Sequence, residues 1–183
     1  MKYKVKPLFY ILIFIYSLLS SGNQLFGQEK INMSLGIGFP EFINVGIRYQ
    51  LKQTQLGFGF GYMPIIGKII LEETDNKMIS ILSDFYYHFG GYSEMSKRRP
   101  WYLRSGLIYC NAAGGNNLLW LNCRLGRDFN LSKKIGLSID AGIILELFNE
   151  EKGNDPQLYS DMPTFLLPSI GINIFYRIGH YKK

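Results

Sequence analysis

The chain is poor in the side chains that hold metals and attack substrates. In 183 residues it has two histidines, His88 and His180, and two cysteines, Cys110 and Cys123. Metal centres of the zinc type draw on clusters of such residues, and no His/Cys cluster occurs. No glycine loop of the phosphate-cradling kind is present, so no cofactor is implied. Also missing is an apolar run of about twenty residues, the length a helix needs to cross a bilayer. Positive charge is modest as well. The net charge is +6, and Lys2, Lys4 and Lys6 supply half of it. Without them the balance is +3, and no Lys/Arg stripe recurs, which excludes a nucleic-acid partner. The one basic run, Lys97, Arg98 and Arg99, reads as a solvated turn, with a membrane-surface role as the alternative.

What is present begins with a targeting layout. Lys2, Lys4 and Lys6 precede the apolar run Leu8 to Leu19 (LFYILIFIYSLL), and the small residues Ser20, Ser21 and Gly22 follow. This is the three-part form of a secretory signal peptide. We assign residues 1–27 to it, with cleavage after Gly27 and Gly22 as the second choice. Residues 28–183 are the mature domain. Export permits oxidation of cysteines. However, a period-two count puts Cys110 inward and Cys123 outward, so only a bulge would let them pair.

From Gln28 onward the pattern alternates apolar and polar, as a strand with one apolar face does. Eight such stretches can be read: about Lys30 to Phe39, Phe42 to Leu51, Gln55 to Tyr62, Met78 to Phe89, Trp101 to Ala112, Leu118 to Leu131, Ile135 to Phe148 and Phe165 to Ile178. The seventh is cleanest, with Ile135, Leu137, Ile139, Ala141, Ile143, Leu145 and Leu147 on one face. Pro168 sits near the start of the eighth, where a missing N–H matters least.

Alternation fits a soluble sheet and a membrane barrel equally. Three features favour the barrel. Several stretches reach about ten residues, which a tilted strand needs to span a bilayer, whereas soluble strands run about five or six. The apolar face is almost free of charge; Arg127 interrupts it near a strand end. Aromatics gather near strand ends (Phe39, Tyr62, Phe89, Trp101, Tyr109, Phe129, Phe148, Phe165, Tyr176), as interfacial girdles do. The expected fold is therefore all-β: a closed antiparallel up-and-down transmembrane barrel of eight strands. Closure is required because lipid offers no partner to an open strand edge. With the first strand rising from the periplasm, the long connections Met63 to Lys77 and Asn149 to Thr164 face outward, and Lys52 to Thr54 and Ser132 to Lys134 face the periplasm. Pro40–Glu41 is short for an outer loop, and Gly90 to Pro100 is long for a periplasmic turn.

The signal peptide, the eight strands, the glycine-rich GFGFGY (Gly57 to Tyr62) and the final strand SIGINIFYRI (Ser169 to Ile178) together resemble the small outer-membrane β-barrel proteins of Gram-negative bacteria. The resemblance covers nearly the whole mature chain. It implies outer-membrane lipid as surroundings and the barrel-assembly machinery as a partner during insertion. The terminal aromatic that serves as an assembly signal in that family would be Tyr176 or Tyr181, because Gly179 to Lys183 extend past the last strand. Members act as structural barrels, adhesins, small pores, secretion-assembly factors or lipid-modifying enzymes.

The inward faces carry Arg48, Arg104, Arg124 and Arg177 against Asp84, Asp128, Asp140 and Glu146. Counted across the turns, Asp84 should lie near Arg104 and Arg124 near Asp140. An eight-stranded barrel is just wide enough for side chains to fill, so the expectation is a lumen plugged by charge rather than a pore. Gly57, Gly59 and Gly61 form a lane without side chains, and Arg48 is expected to lie across it. The resemblance implies that a member acting on lipid A would use a histidine with Ser or carboxylate partners near the outer leaflet, within reach of its substrate; His88 and His180 fall at the periplasmic end. Glu72, Glu73 and Asp75 read as a solvated loop, as do Glu150, Glu151 and Asp155. The apolar loop portion Pro64 to Leu71, with Ile65, Ile66, Ile69 and Ile70, is the candidate contact for a protein partner, or else extends the flanking strands. The expected role is non-enzymatic, structural or surface-interacting. The alternatives are a soluble lipocalin-like binder of an apolar ligand, a small-solute channel and a lipid A-modifying enzyme.

Overall fold

The computed structural model describes residues 30–63, 77–112, 117–150 and 166–178. The signal-like segment, the Pro64–Leu71 loop with Ile65, Ile66, Ile69 and Ile70, the glycine-rich 113–116 connection and His180 lie outside the described residues.

Eight strands follow in chain order: β1 (Ile31–Phe39), β2 (Phe42–Leu51), β3 (Thr54–Met63), β4 (Met78–Phe89), β5 (Trp101–Ala112), β6 (Asn117–Asn130), β7 (Ile135–Glu150) and β8 (Leu166–Ile178). Each pairs antiparallel with its neighbour, and β8 pairs back onto β1 from Ile31↔Ile178 to Phe39↔Ile170, so the sheet is a closed up-and-down barrel. The edges that would otherwise template aggregation are gone. The described lengths run from 9 residues in β1 to 16 in β7. The rim away from the termini is therefore low at the β1–β2 hairpin and high at β7.

Local chemistry fixes the turns. In the β6–β7 connection the Ser132 hydroxyl accepts from the backbone N–H of Lys134 at 3.2 Å and of Ile135 at 2.9 Å, a side-chain turn of the kind serine favours. In the β2–β3 connection Lys52 takes φ 53°, and Thr54 Oγ1 donates to the Leu51 carbonyl at 2.9 Å. The β1–β2 hairpin turns on Pro40 and Glu41, with Phe42 at φ 51° and a register shift between Phe42 and Ile43 against β3. The eleven-residue connection Gly90 to Pro100 folds inward across the end of the barrel. Asn130 donates to Ser93 Oγ at 2.8 Å and to Ser96 Oγ at 3.2 Å. Its length, awkward for a plain turn, is that of a cap.

The apolar face points out. Ile139, Ile143, Ile170 and Ile174 are 40, 41, 55 and 56 % exposed, while Arg124 and Asp140 are 2 and 1 % exposed. A soluble protein would reverse this order. Large apolar side chains stand exposed along all eight strands. The inward aromatics face glycines on the neighbouring strand: Tyr102 pairs with Gly126 and Phe175 with Gly136. A Cβ at Gly136 would come within 2.7 Å of Phe175 Cε2, and one at Gly126 within 2.6 Å of the Tyr102 hydroxyl. These glycines provide the space that the rings fill.

The cysteines do not meet. Cys110 is buried opposite Leu118, Cys123 is half-buried opposite Ser105, and both are free thiols. No bulge brings them together; the register irregularity of β6 falls at Leu119/Trp120, against β7.

Candidate functional site: the interior of the barrel

The interior is layered along the axis. At mid-height lies an ionic layer. Arg104, on β5, faces Asp84 on β4 with two parallel bonds, Nε to Oδ1 and Nη2 to Oδ2, both 2.9 Å. Arg124, on β6, donates from Nη1 to Asp140 Oδ1 on β7 at 3.0 Å. Both pairings follow the count across the turns. Asp140 also accepts from the Tyr102 hydroxyl at 2.9 Å and lies 3.7 Å from Arg104 Nη1. The two pairs are thus one network.

The residue that joins them was not on the strands at all. Glu41, in the β1–β2 turn, dips into the lumen and is 1 % exposed. Its Oε1 takes Arg104 Nη2 at 3.0 Å and its Oε2 takes Arg124 Nη2 at 2.7 Å. Arg124 is further held by Asn122 Oδ1 and by the Phe39 carbonyl, both at 2.9 Å. In the sequence Glu41 had no role beyond its place in a connection too short for an outer loop. Its signal was the misfit: two residues cannot make an outer loop, but they can aim one side chain back into the barrel.

Arg48 departs from the expected position. Its guanidinium crosses the lumen and donates from Nη1 to Ser138 Oγ at 3.2 Å, and Ser138 donates to Asp128 Oδ1 at 2.8 Å. The Arg48 Cζ lies 4.7 Å from the Tyr86 ring centroid and 5.8 Å from that of Phe175. The glycine lane is filled by others: Tyr86 stands over Gly57, and Ser80 and Glu41 close on Gly61. A planar aromatic occupies a flat lane more completely than a guanidinium, which is drawn instead to π-faces and acceptors.

Two more expected members sit apart from the central network. Arg177 is buried near the terminal end and donates to the carbonyls of Ser132 and Lys133 and to Asn130 Oδ1. Glu146 is half-buried next to the shifted register and forms no ion pair with another described residue. The lumen is also not charged throughout. Near the end away from the termini, Met78, Leu82, Ile108 and Cys110 form an apolar layer with Met63, Leu118 and Trp120 against it. Inward positions at that height were legible by parity, but their apolar character hides inside an apolar run.

Beside Arg48 the described residues leave little space. A cavity of about 20 Å³ lies between Arg48, Gly57, Gly59, Tyr86 and Arg104, room for about one water. His88, at the terminal end, is 3 % exposed, with Nδ1 3.0 Å from the Arg99 carbonyl. It faces the cap, not the outer surface.

No protein-family model and no curated protein matches the chain. Among solved structures, one similar chain is the de novo designed TMB2.3, determined by NMR in solution. It is 13 % identical, with 86 % of this chain and all of that chain covered, at a TM-score of 0.41. The chain is an eight-stranded antiparallel barrel with an apolar exterior and a buried charged network. A membrane location suits that exterior, since water would leave its apolar band unsatisfied.

Proposed function

We propose that this protein is a non-enzymatic outer-membrane β-barrel of a Gram-negative bacterium, reached through a cleaved signal peptide, with a sealed interior and a structural or surface-interaction role. The observation that carries the reading is the inversion of side chains on a closed barrel: isoleucines outside, Glu41, Asp84, Arg104, Arg124 and Asp140 inside. Membrane lipid is its solvent, the barrel-assembly machinery its partner during insertion, and the outer connections its contact region toward other proteins.

Two competing readings have specific observations against them. A lipocalin-like binder needs an apolar cavity large enough for a ligand, and the ionic layer fills that place. A small-solute channel needs a continuous path, and the gap beside Arg48 admits about one water. The deciding experiment is refolding into detergent or lipid vesicles followed by electrophoresis of boiled and unboiled samples. A membrane barrel gives a heat-dependent shift and needs amphiphile to stay folded. A chain that folds in buffer alone and migrates identically in both samples ends this reading.

A further inference from the structure

Among the described residues, exposed charge is distributed unevenly along the barrel axis. At the end where the chain enters β1 and leaves β8, Lys30, Lys52, Lys97, Arg127, Lys133 and Lys134 are exposed. Glu94 is the one exposed carboxylate among the described residues there. At the opposite end, Lys77 is the one lysine or arginine among the described residues. The six cations are not one loop's cluster. They come from the start of β1, the β2–β3 turn, the β4–β5 cap, the outer face of β6 and the β6–β7 turn, and so are spread around the rim.

Their depth is marked by Arg127. It points outward on the lipid side of β6, where a charge at mid-bilayer costs heavily and one near the interface costs little. Its Cζ lies 5.1 Å from the Trp101 ring centroid and 5.1 Å from that of Phe129. Lys134 Nζ lies 6.0 Å from the Tyr176 ring centroid. Outward aromatics of this kind sit at headgroup level. Arg127 therefore shows where the hydrocarbon ends on this side, and the turn lysines lie at or beyond that level. Cations at that depth meet phosphate, and basic residues beside a membrane surface are held there by anionic lipid.

We propose that the terminal rim is a collar that binds anionic phospholipid headgroups of the surrounding leaflet and so fixes the depth and direction in which the barrel sits. The collar rests on the bilayer reading above and adds a headgroup preference to it. The test uses the full mature chain refolded into phosphatidylcholine vesicles carrying a trace of spin-labelled phosphatidylglycerol or spin-labelled phosphatidylcholine. The motionally restricted fraction in the electron paramagnetic resonance spectrum gives the relative association of each lipid with the barrel. The expected result is a severalfold preference for phosphatidylglycerol that collapses at 1 M salt, where the screening length falls to about 3 Å. In the variant Lys52→Gln, Lys97→Gln, Lys133→Gln, Lys134→Gln, the preference should approach parity, each lysine being worth up to about fivefold. Arg127→Gln alone should lower it partially, and the salt arm needs no variant at all. Equal restriction of the two lipids by the parent protein overturns the collar, as does a preference that survives both salt and the quadruple change. Capture of an acidic glycan by an inserted barrel with no lipid preference overturns it too. A chain that does not insert overturns the bilayer reading and the collar together; insertion without preference overturns the collar alone.

Discussion

Glu41 holds two guanidiniums that would otherwise face each other inside the lumen. Arg104 keeps Asp84 if Glu41 is lost, and Arg124 keeps Asp140, but each would have donors left buried without an acceptor. Removing one partner of a buried pair costs about 3–5 kcal/mol. Glu41→Ala should therefore lower unfolding stability in vesicles by about that amount, read from urea midpoints. A loss below about 1 kcal/mol would mean that water replaces the carboxylate and that the lumen is wetter than its packing indicates. A second change probes shape instead of charge. Gly126→Ala places a methyl against the Tyr102 ring, which is fully buried and bonded to Asp140. Overpacking of this kind costs about 1–3 kcal/mol, and the double change Gly126→Ala, Tyr102→Ala should cost less than the sum of the two single changes. An additive double variant would show that the two do not share one space.

At the scale of elements, the Gly90 to Pro100 connection departs most from its expected form. It was legible as too long for a periplasmic turn, and the structure shows what the length does. The connection turns in, with Ser93 N–H donating to the Arg98 carbonyl at 2.9 Å and Asn130 reaching both Ser93 and Ser96. The two Asn130 contacts span 37 and 34 residues in sequence, so nothing in the loop's own composition announces them. Asn130→Ala removes both bonds to the cap, and with them one acceptor of Arg177. Trypsin should then cut after Lys97 or Arg98 severalfold faster, since cleavage follows local opening, while the barrel fragments stay associated. An unchanged cutting rate would place the cap's stability elsewhere. The strands themselves were far more legible. The read boundaries of β2, β4 and β5 coincide with those observed, because alternation over ten or more residues, ended by turn residues, has one strand reading. Parity put Glu146 on the inner face, and the β6–β7 ladder stays regular up to Trp120↔Glu146 before the register shifts; what parity did not show is that the residue opposite it is Trp120 rather than a cation.

For the whole molecule, the apolar band and the filled interior make separate predictions. Leu107, mid-strand on the outer face of β5, is 45 % exposed. On a soluble protein Leu107→Arg would cost almost nothing, whereas at the bilayer midplane it should cost about 2–4 kcal/mol. Tyr49→Arg, close to the terminal rim, should cost about 0–1 kcal/mol. Equal effects at both positions, measured by refolding in lipid, would remove the case for a bilayer. The filled interior predicts that the parent barrel shows no steady conductance in planar bilayers. A stable, reproducible current would show that the ionic layer parts, and Glu41→Ala would be the variant to compare with it.

The sequence by itself determined the strands, their faces and the two cross-turn ion pairs, Asp84 with Arg104 and Arg124 with Asp140. These depend on period two and on neighbours joined by a turn, which are local quantities. Only the closed barrel decided that Glu41 bridges both pairs, that Tyr86 and not Arg48 covers Gly57, and that an apolar layer stands above the charges. Those contacts join strands across the lumen, and side chains there compete for one narrow volume. The winner is set by shape and by which donors still lack acceptors, neither of which is written along a single strand.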